Sequence, residues 1–131
     1  MTASGHARGF KDTFAADVQW STGQSNGVTF SSFMLEEGNA ESPMVVLSRF
    51  APGTRIEPHT HHSNYFEYVI AGEQTVGKTV FRTGDVRQVT GGTGYGPITV
   101  GETGCTVIVV FQKATGSMTV PVGRASALAD A

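Results

Sequence analysis

The sequence predicts an all-β fold, a single-domain jelly-roll barrel, and three observations support this prediction. Its 131 residues are enough for one hydrophobic core and too few for two. Apolar residues occur in short runs separated by turns that use many of the 17 glycines. No stretch before the C-terminal end shows convincing helical periodicity. Such a pattern is typical of about eight to ten strands joined by tight turns.

Composition narrows the classes of partner. The chain has 9 basic and 11 acidic residues, and it contains neither a basic patch nor a basic helix, which argues against nucleic acid or membrane as its main partner. No apolar segment approaches the length of a membrane span, and the first residues lack the hydrophobic centre of a secretory signal. We therefore expect a cytoplasmic protein. The single cysteine, Cys105, opens an apolar run and is expected in the core.

The chain divides into three predicted parts. Residues 1–26 lead into the barrel and pack on it, residues 27–113 form the barrel, and residues 114–131 form a C-terminal edge strand and tail. His6 and the closing residues 125–131 are expected to be frayed.

Within the barrel, alternation from Val28 to Leu35 predicts a strand in VTFSSFMLEEG, and the nearly continuous apolar run MVVLSRF predicts a second one. EQTVGKTVF predicts a hairpin with its turn near Gly77 and Lys78, and DVRQV predicts a strand after a turn at residues 83–85. ITV and CTVIVVFQK are predicted as two strands separated by a turn at residues 101–104. MTVPV is expected either to form an edge strand, because Pro121 has no amide hydrogen to donate, or to pair with a second copy of the barrel.

Three histidines lie within four positions of the stretch GTRIEPHTHHSNYFEYVIAG, residues 53–72. On an extended strand, side chains two residues apart share a face. His59 and His61 therefore point the same way, and the same parity continues to Tyr65 and Glu67 if no bulge intervenes. Two imidazoles on one face form a chelating geometry that suits zinc, iron, copper or nickel.

The spacing of this stretch resembles the first motif of the cupin superfamily. Gly53, His59, His61, position 65 and Gly72 follow one another at every interval of that motif. The second cupin motif is similar in spacing to a set of residues further along the chain: Gly84, Thr90, Gly92, Tyr95 and Thr99. The match covers roughly the middle third of the chain, and its first motif is the more specific signal. Tyr65 stands where the family has a glutamate ligand, and Tyr95 where it has a histidine ligand.

The resemblance implies a barrel that is open at one end, with a pocket lined by His59, His61, Tyr65 and Tyr95. In most metal-binding cupins these positions hold one divalent ion, so iron, zinc, nickel or manganese is the expected cofactor, if one is present. The resemblance also implies a homodimer and a small oxygenated organic substrate. A tyrosine has an unperturbed pKa of about 10, so both tyrosines are expected to stay neutral.

Three hypotheses for the site follow. In the first, His59 and His61 hold a metal, assisted by Glu67, His62 or a tyrosine, in an oxygenase, a lyase or an isomerase or cyclase. In the second, no metal is bound, and the histidines act with Tyr65, Tyr95 and Glu67 as acids and bases beside a carbonyl group, as the resemblance to cupin epimerases and isomerases implies. In the third, the barrel binds a small ligand without changing it.

Four more residues are expected at the substrate pocket: Arg49, Glu57, Phe33 and Met34. A guanidinium within an apolar strand would bind a substrate carboxylate or an internal acid, and the two apolar side chains would form the pocket wall. His62 has the opposite parity to His61 and is expected outside the barrel. The glycines around Tyr95 suit either a mobile lip over the pocket or an ordinary turn.

Overall fold

The computed structural model of the protein describes residues 9–122. It contains a short 3₁₀ helix (Ala15–Asp17) followed by strands β1 (Ser21–Thr22), β2 (Val28–Met34), β3 (Met44–Phe50), β4 (Arg55–Ile56), β5 (His59–Thr60), β6 (Tyr65–Val76), β7 (Thr79–Arg82), β8 (Val86–Val89), β9 (Ile98–Phe111) and β10 (Val120–Pro121). The predicted all-β class is confirmed. No helix in this part of the chain has the length and apolar character needed to cross a membrane. The frayed ends predicted at His6 and residues 125–131 lie outside the described residues.

Two long antiparallel strands, β6 and β9, form the centre of the fold. Among the described residues, the main sheet runs in the order β1, β2, β3, β9, β6, β7, with β4 also paired to β9 and β8 also paired to β6. β10 forms a separate antiparallel pair with β5, joining Val120 to Thr60 and Pro121 to His59. The tail strand predicted around Pro121 is therefore present, and it holds the histidine segment from one side.

Most of the predicted strands are confirmed. β2 and β3 cover the two predicted strands, and they pair in register from Val28 opposite Phe50 to Met34 opposite Met44. The β6–β7 hairpin turns at residues 77–78, as its sequence predicts.

The predicted turn at residues 101–104 is wrong, because these residues belong to the single strand β9. The register between β6 and β9 shifts between Gly72 and Gln74, so the four residues lie opposite only one residue of β6. Gly72 has a φ of +73°, and a Cβ atom there would collide with the carbonyl oxygen of Gly104. Only glycine allows the two strands to approach this closely, and the strands bend here without ending.

Alternation along β6 separates the inside of the barrel from the outside. Tyr65, Glu67 and Val69 are buried, while Phe66 and Tyr68 between them are exposed. The inward residues of β6 and β9 form much of the hydrophobic core, with these buried members: Phe50, Tyr65, Val69, Val76, Val89, Tyr95, Ile98, Val100, Cys105, Val107, Val109 and Phe111. A slip of one residue in β6 or β9 would move the inward side chains of that strand to solvent, so burial fixes the register of both strands.

Candidate functional site

A cavity of about 420 Å³ lies inside the barrel. One wall is polar and carries five side chains that the sequence singles out: His59, His61, Tyr65, Glu67 and Tyr95. The other walls are mainly apolar, with these members among them: Val28, Phe30, Val46, Phe50, Ile56, Ile98, Val107, Val109 and Phe111. The cavity thus combines a hydrophobic interior with one cluster of groups capable of proton transfer.

Backbone pairing places His59 next to Tyr95. The His59 amide donates to the Tyr95 carbonyl at 3.0 Å, and the Tyr95 amide donates to the His59 carbonyl at 3.1 Å. The two rings lie 4.7 Å apart between centroids. Tyr95 is only 2% exposed. The residue is therefore part of the buried wall of the cavity.

Each imidazole is oriented by a backbone carbonyl. Nδ1 of His59 lies 3.1 Å from the carbonyl oxygen of Glu57, and Nδ1 of His61 lies 2.9 Å from that of Ser117. Because a carbonyl can only accept a hydrogen bond, a neutral ring in this position carries its hydrogen on Nδ1 and keeps a lone pair on Nε2. The two rings are 5.2 Å apart and nearly perpendicular. Both histidines can accept a proton or a hydrogen bond at Nε2.

Burial keeps both imidazoles uncharged. Desolvation lowers the pKa of His59, against an opposing hydrogen bond to Glu57 and with a further lowering by the charge of Arg87. Desolvation, followed by repulsion from His59, lowers the pKa of His61 from 6.5 to about 4, although the backbone at Ser117 opposes the shift. Both rings are therefore neutral at pH 7, in the state in which Nε2 can act as a base.

Tyr95 keeps its hydroxyl proton in this environment. Burial raises the pKa of Tyr95 well above its usual range, and the neighbouring Tyr65 and Glu67 raise it further. The Tyr65 ring lies 5.1 Å from His61 and 5.2 Å from Phe111, which fixes its position in the wall. Because Tyr95 holds its proton, its hydroxyl can donate to a substrate oxygen.

Glu67 belongs to a buried network with two residues that the sequence did not single out. Its carboxylate accepts a hydrogen bond of 2.9 Å from Nε2 of Gln74, and it lies 3.7 Å from Nη1 of Arg87. The guanidinium of Arg87 also sits 4.6 Å from the centre of the Tyr95 ring. Burial raises the pKa of Glu67, while Arg87 and Gln74 oppose the rise. The network supports the polar wall from behind.

The positions of Arg87 and Gln74 in this network depend on how the strands pair. Arg87 lies directly opposite Glu67 in the β6–β8 register, and alternation in DVRQV places it on the same face as buried Val89. Gln74 faces inward only because β6 shifts register after Val69. Alternation along β8 could have predicted that Arg87 faces inward. The inward position of Gln74 could not be predicted without knowing the register shift in β6.

Contrary to the prediction, four candidate pocket residues do not line the cavity: Arg49, Glu57, Phe33 and Met34. Arg49 has the opposite parity to Ser48 and Phe50, and its guanidinium stacks 3.8 Å from the centre of the Trp20 ring on the outside. Glu57 is exposed and pairs with Arg55 at 2.9 Å.

Phe33 has the opposite parity to Phe30 and Ser32, which do line the cavity. Met34 lies at the end of β2, where the cavity is lined by its cross-strand partner Met44. His62 is exposed, on the outside as alternation predicts.

The residues present do not complete the predicted metal site. Within residues 9–122, no group of three or more His, Cys, Asp or Glu side chains is placed to hold a metal ion. Glu67 is engaged by Gln74 and Arg87, and the raised pKa of Tyr95 opposes ligation as a phenolate. His59 and His61 supply two nitrogen donors, fewer than the three protein ligands that a catalytic zinc site ordinarily uses.

Comparison with known proteins agrees with the fold. The family model described as the ChrR cupin-like domain matches residues 12–119. Among curated proteins, no sequence matches the chain. The structure of the polyketide cyclase RemF from Streptomyces resistomycificus is similar, with a TM-score of 0.74 and 16% identity over 87% of this chain and 86% of that chain.

Two other similar structures are longer proteins. A deletion mutant of the Bacillus subtilis oxalate decarboxylase OxdC has a TM-score of 0.64 and 21% identity over 82% of this chain and 30% of that chain. The structure of Rhodobacter sphaeroides SigE in complex with the anti-sigma ChrR has a TM-score of 0.61 and 18% identity over 75% of this chain and 51% of that chain. At these identities the likeness shows the fold alone. Because the family match spans most of its length, this chain belongs to the ChrR cupin-like domain family.

Proposed function

We propose that this protein is an enzyme that moves protons next to a carbonyl group of a small oxygenated molecule, as an isomerase or cyclase does. One observation carries the proposal: two neutral imidazoles, His59 and His61, share a buried cavity wall with the protonated hydroxyl of Tyr95. Bases and a hydrogen-bond donor around one cavity are what enolisation requires.

His59 is the proposed general base. Its Nε2 would take a proton from the carbon next to the carbonyl, while the electron pair moves to the carbonyl oxygen. The Glu57 carbonyl, bonded at Nδ1, would stabilise the resulting imidazolium. Because burial makes that charge costly, the proton is returned readily, which suits a shuttle.

Tyr95 is the proposed donor to the developing oxygen anion. Its ring lies against His59 at 4.7 Å, so one bound carbonyl compound can contact both groups. Because its pKa is about 4, His61 is a weak base. Its proposed role is to accept a hydrogen bond from a substrate hydroxyl. Tyr65 and Glu67 would hold these groups in place.

The metal-dependent hypothesis takes second place, because the donor set is incomplete. If a divalent ion is bound, His59 and His61 would be its protein ligands. Elemental analysis of purified protein, combined with activity measured in chelator, distinguishes the metal-dependent hypothesis from the acid/base proposal. Stoichiometric metal and loss of activity in chelator would reverse this ranking.

Proton exchange tests the acid/base proposal. Acetonaphthone, an enolisable aromatic ketone, is incubated with the protein in deuterium oxide, and deuterium in its methyl group is measured by NMR. We expect catalysed exchange that survives chelator and falls by about 100-fold or more in His59→Gln. The control, His62→Gln, changes an exposed histidine outside the cavity and should match wild type. Wild-type exchange at the uncatalysed rate would count against this chemistry.

A non-catalytic ligand-binding role is the third candidate, and the low pKa of His61 favours it, because so weak a base suits hydrogen bonding better than proton removal. Saturable binding of acetonaphthone without exchange would support it. A homodimer and a cytoplasmic location remain predictions, testable by light scattering and cell fractionation.

A further inference from the structure

Within residues 9–122, the side chains that line the cavity offer no positive charge to a ligand. Among the described residues that line it, there is no lysine or arginine, and the one acidic residue is Glu67. A carboxylate entering this space would lose its hydration without gaining a counter-ion. Burial of an unpaired ion costs several kcal/mol even after relaxation.

Two arginines of the barrel, Arg87 and Arg49, do not line the cavity and contact other side chains. Arg87 does not line the cavity, faces Glu67 at 3.7 Å and packs on the Tyr95 ring. It is thus separated from a ligand by the aromatic wall. Arg49 stacks on Trp20 outside the barrel. Neither guanidinium lines the cavity in this structure.

The mouth of the cavity is uncharged in the described part of the chain. Its rim is formed by residues 23–25, before β2, and residues 117–119, before β10. Met118 in the second segment is 68% exposed, so the rim presents an apolar side chain beside serine, threonine and glutamine. Within residues 9–122, neither of these two segments carries a charged side chain.

We propose that the ligand of this cavity is an uncharged, mostly apolar carbonyl compound of one or two rings, and that the cavity excludes carboxylates. This deepens the proposed function, on which its carbonyl group rests. The size follows from the volume of about 420 Å³, near the lower end of the roughly 300–1,000 Å³ seen in small-molecule sites. The ligand is proposed to be uncharged because no lysine or arginine occurs among the described residues that line the cavity and its rim.

A matched ligand pair tests the inference. Acetonaphthone and naphthoate have the same ring system and the same number of heavy atoms, but only naphthoate is an anion at pH 7. By isothermal titration calorimetry on the intact protein, we expect acetonaphthone to bind at least about tenfold more tightly, equivalent to about 1.4 kcal/mol. Equal or tighter binding of naphthoate, or failure of acetonaphthone to bind, would overturn the inference.

A gain-of-binding variant provides an independent arm. Ser32 lines the cavity and is exposed, so Ser32→Lys adds a cation without burying it fully. Naphthoate affinity should rise about tenfold or more in Ser32→Lys, equivalent to about 1.4 kcal/mol. It should stay unchanged in the control Gln88→Lys, which adds the same charge at an exposed site away from the cavity. Similar naphthoate binding in the two variants would contradict the inference.

The outcomes separate this inference from the proposed function. Selective binding of acetonaphthone without deuterium exchange would reject the enzyme and leave the ligand class standing. Catalysed exchange that naphthoate inhibits as effectively as a neutral ketone would leave the enzyme standing and reject the ligand class.

Discussion

Replacement of His61 by glutamine should make the protein less sensitive to acid. In the native protein, burial and the neighbouring His59 lower the pKa of His61 from 6.5 to about 4. In the unfolded chain the same imidazole is hydrated and takes up a proton near pH 6.5. The stability that this group confers is therefore fully present above about pH 6.5. It is lost progressively as the pH falls towards and through the native pKa of about 4.

The magnitude follows from the shift. Each pH unit between the unfolded and native pKa values corresponds to about 1.4 kcal/mol, so His61 alone should account for on the order of 3 kcal/mol of acid destabilisation. Glutamine cannot take up this proton. Its side-chain amide can still donate a hydrogen bond, as Nδ1 of His61 does to the Ser117 carbonyl, which limits other changes.

Urea unfolding at pH 7 and pH 4 measures the effect. Between these values wild type should lose about 3 kcal/mol more stability than His61→Gln, and the shared titration of surface carboxylates cancels in the comparison. The control, His62→Gln, removes an exposed histidine and should keep the acid loss of wild type. If His61→Gln and wild type lose the same free energy, the imidazole is not held neutral by burial and the reasoning fails.

Three further substitutions test the wall of the cavity. Tyr95→Phe should lower ketone exchange by about 100-fold or more with an unchanged circular dichroism spectrum, and an unchanged rate would remove the hydroxyl from the mechanism. Arg87→Met should cost about 3 kcal/mol in urea unfolding at pH 7, because it strips Glu67 of its buried partner; failure of Glu67→Gln to restore most of that loss would contradict the pairing. Phe111→Ala should cost about 3–5 kcal/mol, against under about 0.5 kcal/mol for exposed Phe10→Ala.

Local alternation was enough to predict most of the polar wall. His59 and His61 both line the cavity, and Tyr65 and Glu67 do so too, because the parity of β6 is undisturbed as far as Val69. The spacing of the second motif also brought Tyr95 to the same wall. These residues depend only on period-two geometry and on motif intervals, both of which a sequence contains.

The remainder depends on strand pairing and bulges. Gln74 reaches Glu67 only after the register shift in β6, and the opposition of Arg87 to Glu67 is set by the β6–β8 register. The glycines at residues 101 and 104 predict a turn, but both lie inside the continuous strand β9. The backbone of Gly104 comes so close to Gly72 that residue 72 has no room for a Cβ atom. Arg49 was predicted at the pocket, but it lies on the opposite face of β3 from Ser48 and Phe50, which line the cavity, and it stacks on Trp20. Such long-range relations cannot be read from short segments.

The central claim is that two neutral imidazoles present their Nε2 atoms to the ligand. Long-range proton–nitrogen NMR of nitrogen-labelled protein at pH 7, with and without acetonaphthone, tests it most directly. For His59 and His61 we expect Nδ1 to carry the hydrogen, Nε2 to be unprotonated, and the ketone to shift the Nε2 resonances. Charged imidazolium rings, hydrogens on Nε2, or Nε2 resonances unmoved by a ketone that binds would contradict the claim.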